Sequence, residues 1–191
     1  MNVLVIPEDF RNDQYILKPI VNAMMKSLGK ETAKVEICRN PLLGGVTEAL
    51  KWEKIEPIID SYRMVNLFLL CVDKDCEDGR KESLKNLENR ATNKAFLENR
   101  PYSFFAENAW QEIEVWLLAG LTLPKSIKWK EVRQERDPKE KFFKPIVKER
   151  KLESGLGGGR KTLGEEAAKQ YARIKQLCDE VNELENRIRN L

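Results

Sequence analysis

Leu67-Phe68-Leu69-Leu70-Cys71-Val72-Asp73-Lys74-Asp75 is the stretch whose reading decides the fold. A continuous apolar run that ends abruptly in acids reads as a parallel strand buried on both faces. Such a strand delivers its charges at the carboxyl edge of an open α/β sheet, where ligand and metal sites collect. Asp73 and Asp75 stand i, i+2 on an extended chain and point the same way, so the pair can share one hard cation such as Mg²⁺. The competing reading is an Asp-rich turn that caps the next helix.

Working outward, strands and helices alternate. Val3 to Ile6 reads as a first strand. Gln14 to Ser27 reads as an amphipathic helix, with Asp13 as its N-cap and Gly29 near its end. Lys34 to Cys38 is a short alternating strand, and Pro41 to Gly45 turns the chain. Thr47 caps a helix to about Tyr62 that Pro57 is expected to kink or break. Beyond the acidic loop come a polar helix over about Arg80 to Asn99, a strand over Tyr102 to Ala106 and an apolar helix over Ala109 to Ala119. The alternation predicts the α/β class, a compact parallel sheet flanked by helices.

After Gly120 the composition changes. Pro124 to Arg160 is crowded with Lys and Arg, has weak periodicity, and ends in Gly155-Leu156-Gly157-Gly158-Gly159-Arg160-Lys161. This reads as a long basic irregular segment with short helices. From Leu163 the chain returns to helix, with Ile174, Leu177, Val181, Leu184, Ile188 and Leu191 spaced as a heptad seam. The seam is expected to pack on the chain's own body, the alternative being a homodimer or partner contact through this C-terminal helix. The division is thus 1–120 and 121–191.

Composition narrows the chemistry. Thirty-four basic and 31 acidic residues leave a net charge of +3, so global charge says little about partners. No apolar stretch approaches membrane-spanning length, and the N-terminus runs directly into a strand instead of a signal peptide. Cys38, Cys71, Cys76 and Cys178 lack Cys-x-x-Cys spacing, and reduced thiols in a cytoplasmic protein fit them best. There is no histidine, which removes Ser-His-Asp triads, Cys-His dyads and the common histidine zinc sites. Carboxylates with Mg²⁺ or Mn²⁺ become the leading option.

Glu8, after Val5-Ile6-Pro7, lies at the same sheet edge as Asp73 and Asp75 if the two strands are neighbours. A third acidic block is Glu107-Asn108-Ala109-Trp110-Gln111-Glu112-Ile113-Glu114-Val115-Trp116-Leu117-Leu118-Ala119. Carboxylates in so apolar a helix are costly unless paired or metal-bound. A salt bridge is the bland reading for Glu112 or Glu114, and spacing does not decide between them.

A strand-end glutamate followed by Asp-x-Asp on a later strand resembles the Toprim domain of topoisomerases, primases and overcoming-lysogenization-defect nucleases, over about residues 1–120. The resemblance implies a Toprim-like fold in which Glu8, Asp73 and Asp75 bind divalent metal and act on phosphodiesters. The Glu112-x-Glu114-x-Trp116-Leu117-Leu118-Ala119 block is similar to a helix of small bacterial Toprim-like proteins, often encoded beside an ABC-type ATPase and implicated in phage defence. Asp9 replaces the glycine usual after the first glutamate, and Phe10, Arg11 and Asn12 form an insertion, which bears on phosphate contact at that loop.

Phosphoryl transfer needs cations to neutralise developing charge and activate water. Glu8, Asp73 and Asp75 would hold one metal, and Glu77 or Glu114 a second. In the basic segment Lys128, Trp129, Arg133, Lys139, Lys141 and Arg160 suit a nucleic-acid backbone with stacking positions, against the alternative of a self-paired solvated surface. The glycine cluster lacks Walker A spacing and offers either close phosphate approach or a flexible linker. Lys161 is the basic residue expected near the scissile phosphate, completing a catalytic set of Glu8, Asp73, Asp75 and Lys161. The expected function is metal-dependent nuclease action under an ATPase partner, the alternative a non-catalytic regulatory subunit.

Overall fold

Strand β3 (Leu67–Asp73) is buried at every residue before Asp73, as its apolar run requires. The computed structural model, which describes residues 1–191, sets it in a four-stranded, all-parallel sheet in the order β2-β1-β3-β4. The partners are β1 (Asn2–Pro7), β2 (Lys34–Ile37) and β4 (Ser103–Ala109). Strand parity divides the core in two. Val3, Val5, Leu67, Leu69 and Cys71 face one layer. Leu4, Ile6, Phe68, Leu70 and Val72 face the other.

Helix α1 (Phe10–Ser27) covers the first face through Ile16, Leu17, Ile20, Val21, Met24 and Met25. Helices α2 (Val46–Ala49), α3 (Trp52–Ser61) and α4 (Arg80–Leu97) lie on the second face. Helix α1 begins four residues before the sequence pattern suggests, because Asp9, not Asp13, is its N-cap and accepts from Arg11 N at 2.9 Å. The supposed insertion Phe10–Asn12 is the first turn of this helix, and Asp13 is buried within it. The break in the second helical stretch also differs. The chain becomes extended at Lys51 and restarts at Trp52, while Pro57 sits inside α3, which forgoes one backbone bond there.

The β3–β4 ladder runs to Asp73↔Ala109, so strand pairing claims Glu107, Asn108 and Ala109. The apolar helix α5 therefore starts at Glu114 and ends at Gly120. Beyond it come α6 (Trp129–Gln134), a π-helical turn (Lys139–Phe143) that runs into α7 (Lys144–Glu149), and then α8 (Arg160–Ala168), α9 (Tyr171–Leu177) and α10 (Asp179–Arg189). The single C-terminal helix of the sequence reading is thus three helices, the last pair separated by an extended Cys178. Ile174, Val181, Leu184 and Ile188 are buried in the same core as α1. The seam packs on the chain's own body through these four residues, while Leu177 is partly buried and Leu191 exposed.

Residues 121–191 share the α1 core with 1–120 through Phe142, Phe143, Leu163 and Tyr171. Glycines set how closely the layers approach. A Cβ on Gly164 would stand 2.3 Å from Tyr15 O, one on Gly157 2.4 Å from the Tyr15 ring, and one on Gly120 2.5 Å from Ala167 O. The glycine cluster is therefore a packing surface beneath Tyr15 and the left-handed entry to α8, in place of a linker or a phosphate cradle.

Gly120→Ala drives a methyl into the α8 backbone and is expected to cost about 1–3 kcal/mol. Gly79→Ala, at an open position without positive φ, should stay within about 0.5 kcal/mol of wild type. Urea unfolding of both variants checks the difference.

Candidate functional site

The β1–β3 register ends at Pro7↔Cys71, which carries Glu8 past the ladder to the end of β3. Glu8 Oε2 accepts from Asp73 N at 2.9 Å, so the Glu8 side chain reaches the backbone at the end of β3. This is the switch point of the sheet: the chain leaves β1 for one face and β3 for the other, opening a crevice at their carboxyl ends. The loop after β4 closes it from the far side. Asp73 Oδ1 accepts from Ile113 N at 2.7 Å, and Asp75 N donates to Gln111 O at 3.2 Å. Gln111 Oε1 in turn accepts from Cys76 N at 2.9 Å. Asp75, Cys76 and Gln111 all hold positive φ, a conformation that costs a side-chain-bearing residue roughly 1–2 kcal/mol and clusters at functional loops.

Asp13 joins these acids from the first turn of α1, accepting from Asp9 N at 3.2 Å. Burial, then the charges of Glu8, Asp13 and Glu114, push the Asp73 carboxyl up to about 9. Burial and the Glu114 charge push Asp13 up to about 8. Glu8 is raised by burial, opposed by its bond from Asp73 N. Burial and mutual proximity thus leave Asp13 and Asp73 holding protons at neutral pH, beside a Glu8 that is itself raised. The facing cations come from the C-terminal segment. Arg160, 8% exposed, binds Glu114 through Nε at 3.0 Å and through Nη2, and lies 4.8 Å over the Phe143 ring. Lys139 N donates to Glu112 Oε2 at 2.7 Å, and its ammonium stands 3.8 Å from Glu112 Oε1. Burial alone would lower Lys139; Glu114, Glu112 and Asp73 outweigh it and leave the amine raised.

Several expected residues stand elsewhere. Asp75 is exposed and turned toward Arg80, 3.7 Å away, because its left-handed backbone swings it off the strand direction. Glu77 is exposed beyond it. Glu114 is paired with Arg160 and Glu112 with Lys139, so each carries the salt bridge of its bland reading. Lys161 is exposed and pairs with Glu165 at 3.1 Å, whereas its neighbour Arg160 is buried. Among the expected nucleic-acid contacts, Arg160 is buried, Arg133 is held by Glu180 at 2.8 and 3.1 Å, Lys141 pairs with Glu135, and Trp129 packs against the core edge. Lys128 is exposed, and Lys139 faces the acids. The residues missed as site members are Asp13, Arg80 and Trp110, whose ring carries the Lys74 ammonium at 4.1 Å. The acidic i+4 spacing from Asp9 to Asp13 was the available signal for the first.

Oxygen donors alone suit a hard divalent cation, which would take the place of the protons that burial and proximity keep on Asp13 and Asp73. The donor chemistry fits, although no three Asp, Glu or Cys side chains already form a metal-holding group. Each acid instead spends an oxygen on a backbone amide. A cleft of about 380 Å³ lies away from the acids, around Asn2, Lys34 and Met64. No protein-family model, curated protein or solved structure matches the chain.

Asp13 and Asp73 hold protons more tightly folded than unfolded, so the folded state carries excess protons between the ordinary 3.8 and about 8–9. Stability must fall as pH rises through that window. Thermal unfolding in EDTA is expected to show a lower midpoint at about pH 9 than at about pH 5, with the difference reduced in Asp73→Asn and Asp13→Asn.

Proposed function

We propose that the chain is a Mg²⁺- or Mn²⁺-dependent enzyme that hydrolyses phosphodiester bonds of nucleic acid. The observation that supports this reading is the Glu8 carboxylate at the Asp73 amide on the switch point, with the raised carboxyls of Asp73 and Asp13 close by. Glu8 and Asp73 are the residues to hold the cation, with Asp75 joining when its side chain turns in from the loop. When bound, the cation supplies charge neutralisation at the phosphoryl group and an acidified water. Lys139, protonated among Asp73, Glu112 and Glu114, is the residue placed to donate to a phosphoryl oxygen. Arg160 holds Glu114 in place and fixes α8 against the site edge.

Exposed lysines and arginines of the segment after Gly120, Lys128 among them, would track the strand's phosphates. A cytoplasmic site of action suits four unpaired cysteines, and no helix is long and apolar enough to cross a membrane. Control by an ABC-type ATPase in phage defence extends the proposal, on the likeness of the Glu112–Ala119 block alone.

One observation favours a second reading, a non-catalytic interaction subunit: every strand-end acid already has a backbone or guanidinium partner, and no ready coordination group exists. Nicking of plasmid DNA and structured RNA with Mn²⁺, Mg²⁺ or EDTA separates the two. Glu8→Ala and Asp73→Ala are expected to lose activity by roughly two orders of magnitude or more while keeping a folded circular-dichroism spectrum. Wild-type rates in both variants would remove the catalytic reading.

A further inference from the structure

Arg80 opens the 18-residue helix α4, whose N-cap Gly79 offers no side-chain cap. The first-turn amides of such a helix favour an anion. The arginine itself is 7% exposed, yet its Nε has no hydrogen-bond partner. Its guanidinium turns back across the β3–α4 loop, with one long bond from Nη2 to Lys74 O at 3.5 Å and Asp75 Oδ2 at 3.7 Å. Buried arginines are ordinarily saturated, because each unmet donor carries its full desolvation cost. A guanidinium beside Glu8 with donors left over points to an acceptor of its own, and a tetrahedral phosphate accepts from the arginine fork in the way a lone carboxylate at 3.7 Å does not.

We propose that Arg80, with the first turn of α4, is the phosphate-binding residue of the carboxyl-edge crevice and receives a phosphate oxygen of a nucleotide or nucleic-acid strand. This deepens the phosphodiesterase reading and rests on it for the identity of the substrate, though the binding itself needs no turnover. Arg80 is a binding and positioning residue: it fixes the phosphate over the edge where Glu8 and Asp73 stand. The guanidinium is buried and touched by Lys74 O and Asp75 of the β3–α4 loop, so a phosphate reaches it when that loop turns outward. The same movement frees Asp75 from the guanidinium and lets it swing toward Asp73. One arginine thereby exchanges a carboxylate for a phosphate, coupling substrate arrival to completion of the acid cluster.

The experiment follows the Arg80 Nε–H resonance of wild-type protein by ¹⁵N NMR, assigned with Arg80→Lys. Inorganic phosphate, a nucleoside 5′-monophosphate and a short oligonucleotide without terminal phosphates are each added in EDTA and in Mg²⁺. A saturable shift of that resonance is expected. The monophosphate arm alone responding identifies a strand end as the source, and the oligonucleotide responding identifies an internal diester. Arg80→Met should weaken binding about tenfold or more, and Arg80→Lys less, since a point charge keeps attraction and loses the fork. A resonance unmoved by every probe, with and without Mg²⁺, overturns the assignment. Cleavage activity with an unmoved resonance sinks only the Arg80 site, whereas a moving resonance without cleavage sinks only the hydrolytic reading.

Discussion

The parallel ladder between β1 and β3 governs everything at the acidic edge. Its register runs to Pro7↔Cys71, and the next residue of β1 is Glu8. A slip of one residue would turn Val3, Val5, Leu67 and Leu69 to the wrong layer. Hydrophobic patterning on two faces therefore fixes the position of a carboxylate to which it makes no contact. Glu8 then reaches the Asp73 amide because both strands stop together, one running into α1 and the other into the 74–79 loop.

The remainder of the chain neutralises what that register concentrates. Arg160 and Lys139 arrive from the segment after Gly120 and face Glu114, Glu112 and Asp73. Glu180, from α10, accepts from Trp110 N, Trp116 Nε1 and Arg133, pinning both ends of the 110–116 stretch. Six basic residues of the middle segment, Arg133, Lys139, Lys141, Lys144, Arg150 and Arg160, are held in such pairs. Charge attraction and glycine-permitted close packing act together, holding α8 against α1 and α5 where a side chain at Gly157 or Gly164 would not fit.

How much of this was legible in the sequence depends on which force set each feature. The sheet class, and β3 in particular, could be read because burial on both faces demands an uninterrupted apolar run. Glu8 beside Asp73 could be read because strand ends in a parallel sheet share an edge. The start of α5 could not, since ladder pairing through Ala109 overrode the helical look of Ala109–Glu112. The roles of Arg160 and Arg133 were equally hidden: a buried arginine and a solvated one have the same local sequence, and only tertiary structure supplies Glu114 and Glu180. Asp13 looked like a cap because Asp9, four residues earlier, is an equally good one.

Glu180 also constrains the order in which the molecule matures. Strands β1 to β4 are complete by Ala109, yet the loop that supplies the Ile113 amide to Asp73 is anchored by a carboxylate some seventy positions further on. Contacts of such long sequence separation form late, after the entropy of closing the intervening chain is overcome. A nascent polypeptide would thus display its sheet before its acidic edge acquires its final shape, which waits on the docking of α10.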